Sequence, residues 1–178
     1  MKPIIIVYSY TGNNKKLAVK IKDKLNCDIL SIKEHKKRRM ISIFLDLIFN
    51  RQAKLTEYQI PDNYDVFILV APIWVGKLPS PMRTFLHKEK NRIHNYFFIS
   101  INGGNENQSE KIAHELSSII QKNCINVTEL SINQFLPTKK QKANQILKYR
   151  VSDNDLNQYN TEIDAFIEKI KSNSNNQQ

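Results

Sequence analysis

The chain has 178 residues, 40% hydrophobic and 25% charged, with 27 Lys+Arg against 17 Asp+Glu for a net charge of +10. That length suits one domain, and the balance of apolar and charged residues excludes disordered and fibrous classes. No apolar run approaches the ~20 residues of a membrane-spanning helix. The run after Met1-Lys2-Pro3, Ile4–Tyr8, is too short for a signal-peptide core. Two cysteines, Cys27 and Cys124, make neither a disulfide framework nor a metal cluster. A reduced, cytoplasmic protein is expected.

In chain order, Ile4–Ser9 (IIIVYS) opens as a buried strand, followed by a helix with Leu17, Ala18, Ile21 and Leu25 on one face. Cys27–Ile32 is a weaker strand. Arg38–Phe49 is a short helix candidate, apolar almost all round, with Lys36, Lys37 and Arg51 at its flanks. It is too short to span a membrane. Packing over a sheet edge or at a dimer contact is favoured over peripheral membrane contact, because the segment lacks the strongly polar face of an interfacial helix. Val66–Ala71 and Tyr96–Ile101 are near-continuous apolar runs, as expected of strands covered on both faces. A helix with Ile112, Ala113, Leu116, Ile119 and Ile120 on one stripe follows, then a weaker strand at Ile125–Ile132. The last helix aligns Leu156, Tyr159, Ile163, Phe166, Ile167 and Ile170, with Ser152 and Asp155 placed to form a capping box. Residues 1–171 therefore read as one domain, and the polar tail Ser172–Gln178 as disordered.

Alternating strands and helices predict an α/β fold with a doubly wound, five-stranded parallel sheet in the order 2-1-3-4-5. In that order the carboxyl ends of strands 1, 3 and 4 are neighbours. The chain has only four glycines: Gly12 follows strand 1, Gly76 follows strand 3, and Gly103 and Gly104 follow strand 4. Glycines that served only turns should be scattered among the loops. Their grouping marks a crevice where something approaches the main chain closely.

The first of these loops reads Ser9-Tyr10-Thr11-Gly12-Asn13-Asn14 and passes straight into a helix. Hydroxyls, side-chain amides and free backbone N–H groups at a helix N-terminus suit a phosphate. The alternative is a tight glycine turn capped by Asn13. Neither GxxxxGK[ST] nor GxGxxG is present. The second loop, Ala71-Pro72-Ile73-Trp74-Val75-Gly76-Lys77-Leu78-Pro79-Ser80-Pro81, holds the single tryptophan, a flat apolar plate with a polar N–H, beside Gly76. Pro81 is placed to start the next helix. Trp74 serves either the crevice or the core.

SYTGNN after strand 1 and APIWVGKLPSPMRTFL after strand 3 resemble the flavodoxin-like FMN-binding family, and the spacing resembles it over nearly the whole chain. The resemblance implies FMN as cofactor, with Ser9, Tyr10, Thr11, Gly12, Asn13 and Asn14 around its phosphate. It places Pro72, Ile73, Trp74, Val75 and Gly76 beside the isoalloxazine, and Asn102, Gly103 and Gly104 on its other side. Three departures stand out. Asn14 replaces the usual Thr, the loop Asn102–Gln108 has no aromatic, and the chain is basic where electron-shuttling flavodoxins are acidic.

What is missing narrows the chemistry further. There is no GxSxG elbow, no HExxH, no CxxC and no C-x5-R loop, and His35, His87, His94 and His114 lack ligand spacing. A bound cofactor would carry the electrons itself. The expected function is a redox flavoprotein that takes electrons from NAD(P)H to a small acceptor such as a quinone. The alternative is an electron-transfer module docking on a protein partner. The whole net charge resides in two stretches, Lys33–Lys54 and Ser131–Arg150, each +5. These read either as a solvated surface or as a site for an anionic partner. Nucleic acid is disfavoured, for want of a recognised motif or interleaved aromatics.

Overall fold

A computed structural model describes residues 1–35, 51–103, 108–137 and 143–175. Strands β1 (Pro3–Val7), β2 (Asp28–Ser31), β3 (Val66–Val70), β4 (Asn95–Asn102) and β5 (Asn126–Ser131) form one sheet in the order β2-β1-β3-β4-β5. Every pairing is parallel. The two weaker strands of the sequence reading are therefore the two edges. An edge strand is covered less completely and tolerates polar residues, which is why Asp28–Ser31 and Asn126–Ser131 carry a fainter apolar signal.

Period-two alternation sends the strand side chains to opposite faces. On one face Ile4, Ile6, Phe67, Leu69, Tyr96 and Phe98 meet Met82 and Phe85 of α2 (Ser80–Glu89) and Ile112 and Leu116 of α3 (Ser109–Ile120). On the other, Ile5, Val7, Ile68, Val70, Phe97 and Ile99 pack on Leu17 and Ile21 of α1 (Asn13–Leu25) and on Ile163 and Phe166 near the C-terminus. Pro81 lies in the first turn of α2 as expected. A short helix, α4 (Ala143–Ile146), follows β5.

Two expectations change. The last helix is divided at Tyr159 into α5 (Asp153–Gln158) and α6 (Asn160–Asn175). Tyr159 adopts φ −94°, ψ 14°, and its N–H turns back to Leu156. Its hydroxyl donates to the Ser131 carbonyl at 2.6 Å, tying this break to the end of β5. The Ser152–Asp155 capping box is present. α6 also continues to Asn175, through most of the tail read as disordered. The apolar segment 38–49 and Gly104 lie outside the described residues. Among the described residues no helix is long and apolar enough to cross a membrane.

The first turn of α1 is fastened to the sheet by a side chain. Asn14, buried, donates from Nδ2 to the Ile101 carbonyl and accepts from the Ile101 N–H, both at 2.9 Å. The β3–β4 register pairs Val70 with Ile99, so two residues further Pro72 would face Ile101. Proline has no N–H to offer, and the Asn14 amide supplies both bonds instead. Asn14→Ala should strand two buried backbone groups and destabilise the protein by about 2–4 kcal/mol. Lys24→Gln, which breaks an exposed ion pair to Asp164, should cost less than about 1 kcal/mol. Urea unfolding of the two variants measures the contrast, and equal small losses would refute it.

Candidate functional site at the carboxyl edge of the sheet

The first loop leaves β1 and turns at Gly12, which caps α1 with φ +94°. A Cβ there would meet nothing within 4 Å, so the backbone angle, not crowding, calls for glycine. The Gly12 N–H donates to Ser9 Oγ at 3.1 Å. No side chain caps α1, its first turn holds no acid, and exposed Lys15 and Lys16 follow. A helix start so arranged keeps its unpartnered N–H groups and its positive dipole end available to an anion.

Asn13 and Asn14 sit in this loop, but their side chains face inward. Asn13 is not the cap. Its Nδ2 donates to the Tyr149 carbonyl and its Oδ1 accepts from the Val151 N–H, both at 3.1 Å. With Asn14 held by Ile101, neither amide is left for a ligand, and these two residues can offer only their backbone N–H groups. Ser9, Tyr10 and Thr11 remain as the hydroxyls of the loop, all partly exposed.

The second loop forms a tight turn. Trp74 and Lys77 exchange backbone hydrogen bonds of 2.9 and 3.0 Å across Val75 (φ +52°) and Gly76 (φ +71°). Two successive positive φ values are the signature of a two-residue hairpin turn that normally selects Asn-Gly. Val75 is 85% exposed, and as a β-branched residue it is strained in this conformation. Trp74 is half-buried against the core, with the rings of Tyr10 and Tyr8 edge-on at 5.8 and 6.2 Å. The Tyr8 hydroxyl donates to Glu34 at 3.2 Å. Pro72 and Ile73 are buried, and Ile73 belongs to the core rather than to the crevice.

Helix α3 holds this turn from behind. Glu115 Oε2 accepts the Leu78 N–H at 2.7 Å, and a Cβ on Gly76 would touch Lys111 at 3.6 Å and Gln108 at 4.0 Å. Burial pushes the Glu115 carboxyl up from its ordinary value, against the opposing pull of the Leu78 N–H, Arg83 and Lys77.

On the third side Asn102 Nδ2 donates to Glu129 at 3.1 Å. Gly103 lies directly against Ile146 of α4, so that a Cβ would overlap that side chain. Close approach is what makes glycine necessary there, as the sequence suggested, but the neighbour is the protein's own helix.

The remaining reactive groups are quiet. Burial pushes the Cys27 thiol up to about 11 and the Cys124 thiol up to about 12, so both stay protonated and poorly nucleophilic. Among the described residues no group of His, Cys, Asp or Glu could hold a metal ion. An open groove of about 620 Å³ runs from Gly12 along the outer side of α1. It is bridged by Lys16–Asp153 at 3.1 Å, Lys20–Asn157 at 2.8 Å and Lys24–Asp164 at 2.7 Å. These lysines fasten α1 to α5 and α6.

No family model and no curated protein matches the sequence. Solved structures do match in shape. A flavoprotein from Lactobacillus acidophilus NCFM in complex with FMN aligns at TM-score 0.57 and 19% identity, over 75% of this chain and 95% of that one. The apo-form of the L. acidophilus flavoprotein aligns at 0.56 and 23%, over 75% and 95%. A flavodoxin from Streptococcus pneumoniae TIGR4 aligns at 0.53 and 12%, over 97% and 99%. The chain has a flavodoxin-like fold. In that fold ligands bind outside the carboxyl ends of the strands at the switch point, which here lies between β1 and β3, where the Ser9–Gly12 loop and the Trp74–Lys77 turn stand side by side. Sequence reasoning missed Glu115, whose amphipathic helix carries no distinguishing signal. It also missed Tyr149–Val151, visible only as the end of a basic stretch.

Two outcomes follow from the second loop. Val75→Asn should relieve the left-handed strain and raise stability by about 1 kcal/mol in urea unfolding; a loss of that size would contradict the strain. Glu115 has a raised folded pKa, so the stability its protonated form contributes is fully present below the ordinary 4.5 and is lost as the pH rises through the folded pKa. The stability of Glu115→Gln relative to the parent should therefore grow as the pH is raised from below 4.5 to 7. A gap that shrinks over that range would mean the carboxylate is favoured in the fold.

Proposed function

We propose that the protein is an FMN-dependent redox flavoprotein that passes electrons from NAD(P)H to a small acceptor such as a quinone. The observation that carries this reading is the uncapped, acid-free start of α1 behind Gly12, adjoining the Trp74 turn at the switch point of a flavodoxin-like sheet. The backbone N–H groups of Asn13 and Asn14 and the hydroxyls of Ser9 and Thr11 suit the phosphate. Trp74, Val75 and Gly76 suit one side of the isoalloxazine. The donor set fits a phosphate ester, because it consists of hydroxyls and main-chain N–H groups with no carboxylate among them. When bound, FMN supplies the electron chemistry, and the protein supplies orientation and electrostatics.

The choice of a small acceptor rests on loop Asn102–Gln108, which has no aromatic residue to cover the second ring face. An uncovered face leaves room for a reacting molecule. A second reading, docking on a redox partner protein, draws on the exposed Val75 at the tip of the turn beside exposed Lys77 and Lys111. NAD(P)H oxidation that depends on an added quinone supports the enzyme. Loaded protein that exchanges electrons only with another protein supports the module.

The cofactor itself is tested by titrating the protein with FMN and with riboflavin while following the fluorescence of the single tryptophan. FMN should quench Trp74 strongly and bind much more tightly than riboflavin. Trp74→Ala should weaken FMN about 5- to 150-fold, the range given by roughly 1–3 kcal/mol of ring stacking. Equal affinities would remove the phosphate role of the first loop, and unchanged emission at saturation would place Trp74 with the core.

A further inference from the structure

A phosphate monoester carries about −1.5 to −2 charges at pH 7, whereas a helix start supplies only about +0.5. Hydroxyls and main-chain N–H groups add hydrogen bonds and no net charge. The asparagine side chains that stand nearest in sequence are turned inward. A full cation from elsewhere in the chain would close the gap, and the structure brings one.

Arg150 Nη1 and Asn13 Nδ2 donate to the same oxygen, the Tyr149 carbonyl, each at 3.1 Å. The two nitrogens thus lie no further apart than twice that distance, which brings Nη1 near the Asn13 side chain in the first turn of α1. Nη1 also donates to the Leu147 carbonyl at 3.0 Å, so one nitrogen takes both carbonyls. A guanidinium has five N–H donors in a planar fork, and this side chain is exposed. The acids that follow it in sequence are matched by other groups. Asp153 pairs with Lys16 at 3.1 Å, while Asp155 accepts from the Ser152 N–H and the Tyr149 hydroxyl, both at 2.8 Å.

We propose that Arg150 is the counter-ion of the cofactor's phosphate, brought to the start of α1 by the Asn13 clamp; this rests on the FMN reading above. The segment that precedes α5 thereby completes the phosphate site, and the final residue of the second basic stretch acquires a definite ligand.

Apoprotein titrated with FMN and with riboflavin at low and high salt tests the assignment. Arg150→Gln should weaken FMN about tenfold, leave riboflavin unchanged and flatten the salt dependence of FMN binding. Arg150→Lys should recover part of the loss, and Lys24→Gln, which removes a charge far along α1, should change neither ligand. Arg150 also supports two carbonyls, so a second measurement uses the unaltered protein. Modification of Arg150 by phenylglyoxal, followed by mass spectrometry, should be blocked by FMN and not by riboflavin. FMN affinity within twofold of the parent in Arg150→Gln, equal losses for both ligands, or modification indifferent to FMN each overturn the assignment while leaving the cofactor in place. A parent protein that binds no FMN overturns the cofactor reading and this inference together.

Discussion

Two adjacent side-chain amides at the first turn of α1 set the geometry of this molecule's carboxyl edge. Asn14 exchanges hydrogen bonds with Ile101 at the end of β4, and Asn13 does the same for the chain at Tyr149 and Val151. Each amide acts as a short piece of backbone, satisfying main-chain groups that no strand can reach. The loop that leads into α1 is thus anchored on both sides before any ligand arrives. Its first-turn N–H groups point along the helix axis out of the N-terminus, and no side chain caps them. A threonine at position 14 would offer a hydroxyl to a ligand but could not span both the N–H and the carbonyl of Ile101 as an amide does.

The turn after β3 depends on a different element. Helix α3 fixes the Trp74–Leu78 segment by the Glu115 contact to Leu78 and by the packing of Lys111 and Gln108 behind Gly76. Val75 is kept in a left-handed conformation at the exposed tip. Strain of this kind persists only where the surroundings over-determine it, and the reciprocal Trp74–Lys77 bonds together with the α3 contacts provide that determination. Tyr8 and Tyr10 meet Trp74 edge-on, so the turn and the first loop share one aromatic contact.

Charge is used in two ways. Lys16, Lys20 and Lys24 recur every four residues along α1, and each reaches α5 or α6. These exposed contacts position one helix against others and contribute little to stability individually. Arg150 differs: its Nη1 donates to the Leu147 and Tyr149 carbonyls, the second of them shared with the Asn13 amide.

The five strands, their parallel order and the placing of Gly12, Gly76 and Gly103 in the loops after β1, β3 and β4 were legible in the sequence. Buried strands need continuous apolar runs, and glycine is scarce enough here for its positions to carry meaning. The capping box at Ser152–Asp155 was legible for the same reason: it is a local interaction, complete within four residues. What only the tertiary structure decided was the direction in which side chains point. Asn13 and Asn14 read as ligand donors because an amide at a helix start is chemically suited to that task, yet partners 87 and 136 to 138 residues away claim them. Gly103 read as room for a ligand and proved to be room for Ile146. Tyr159 continued a helical stripe, but its hydroxyl bond to Ser131 accompanies a break in that helix. Composition and periodicity report which residues are buried and what backbone they favour. Which long-range partner satisfies a buried polar group is settled only when distant segments meet.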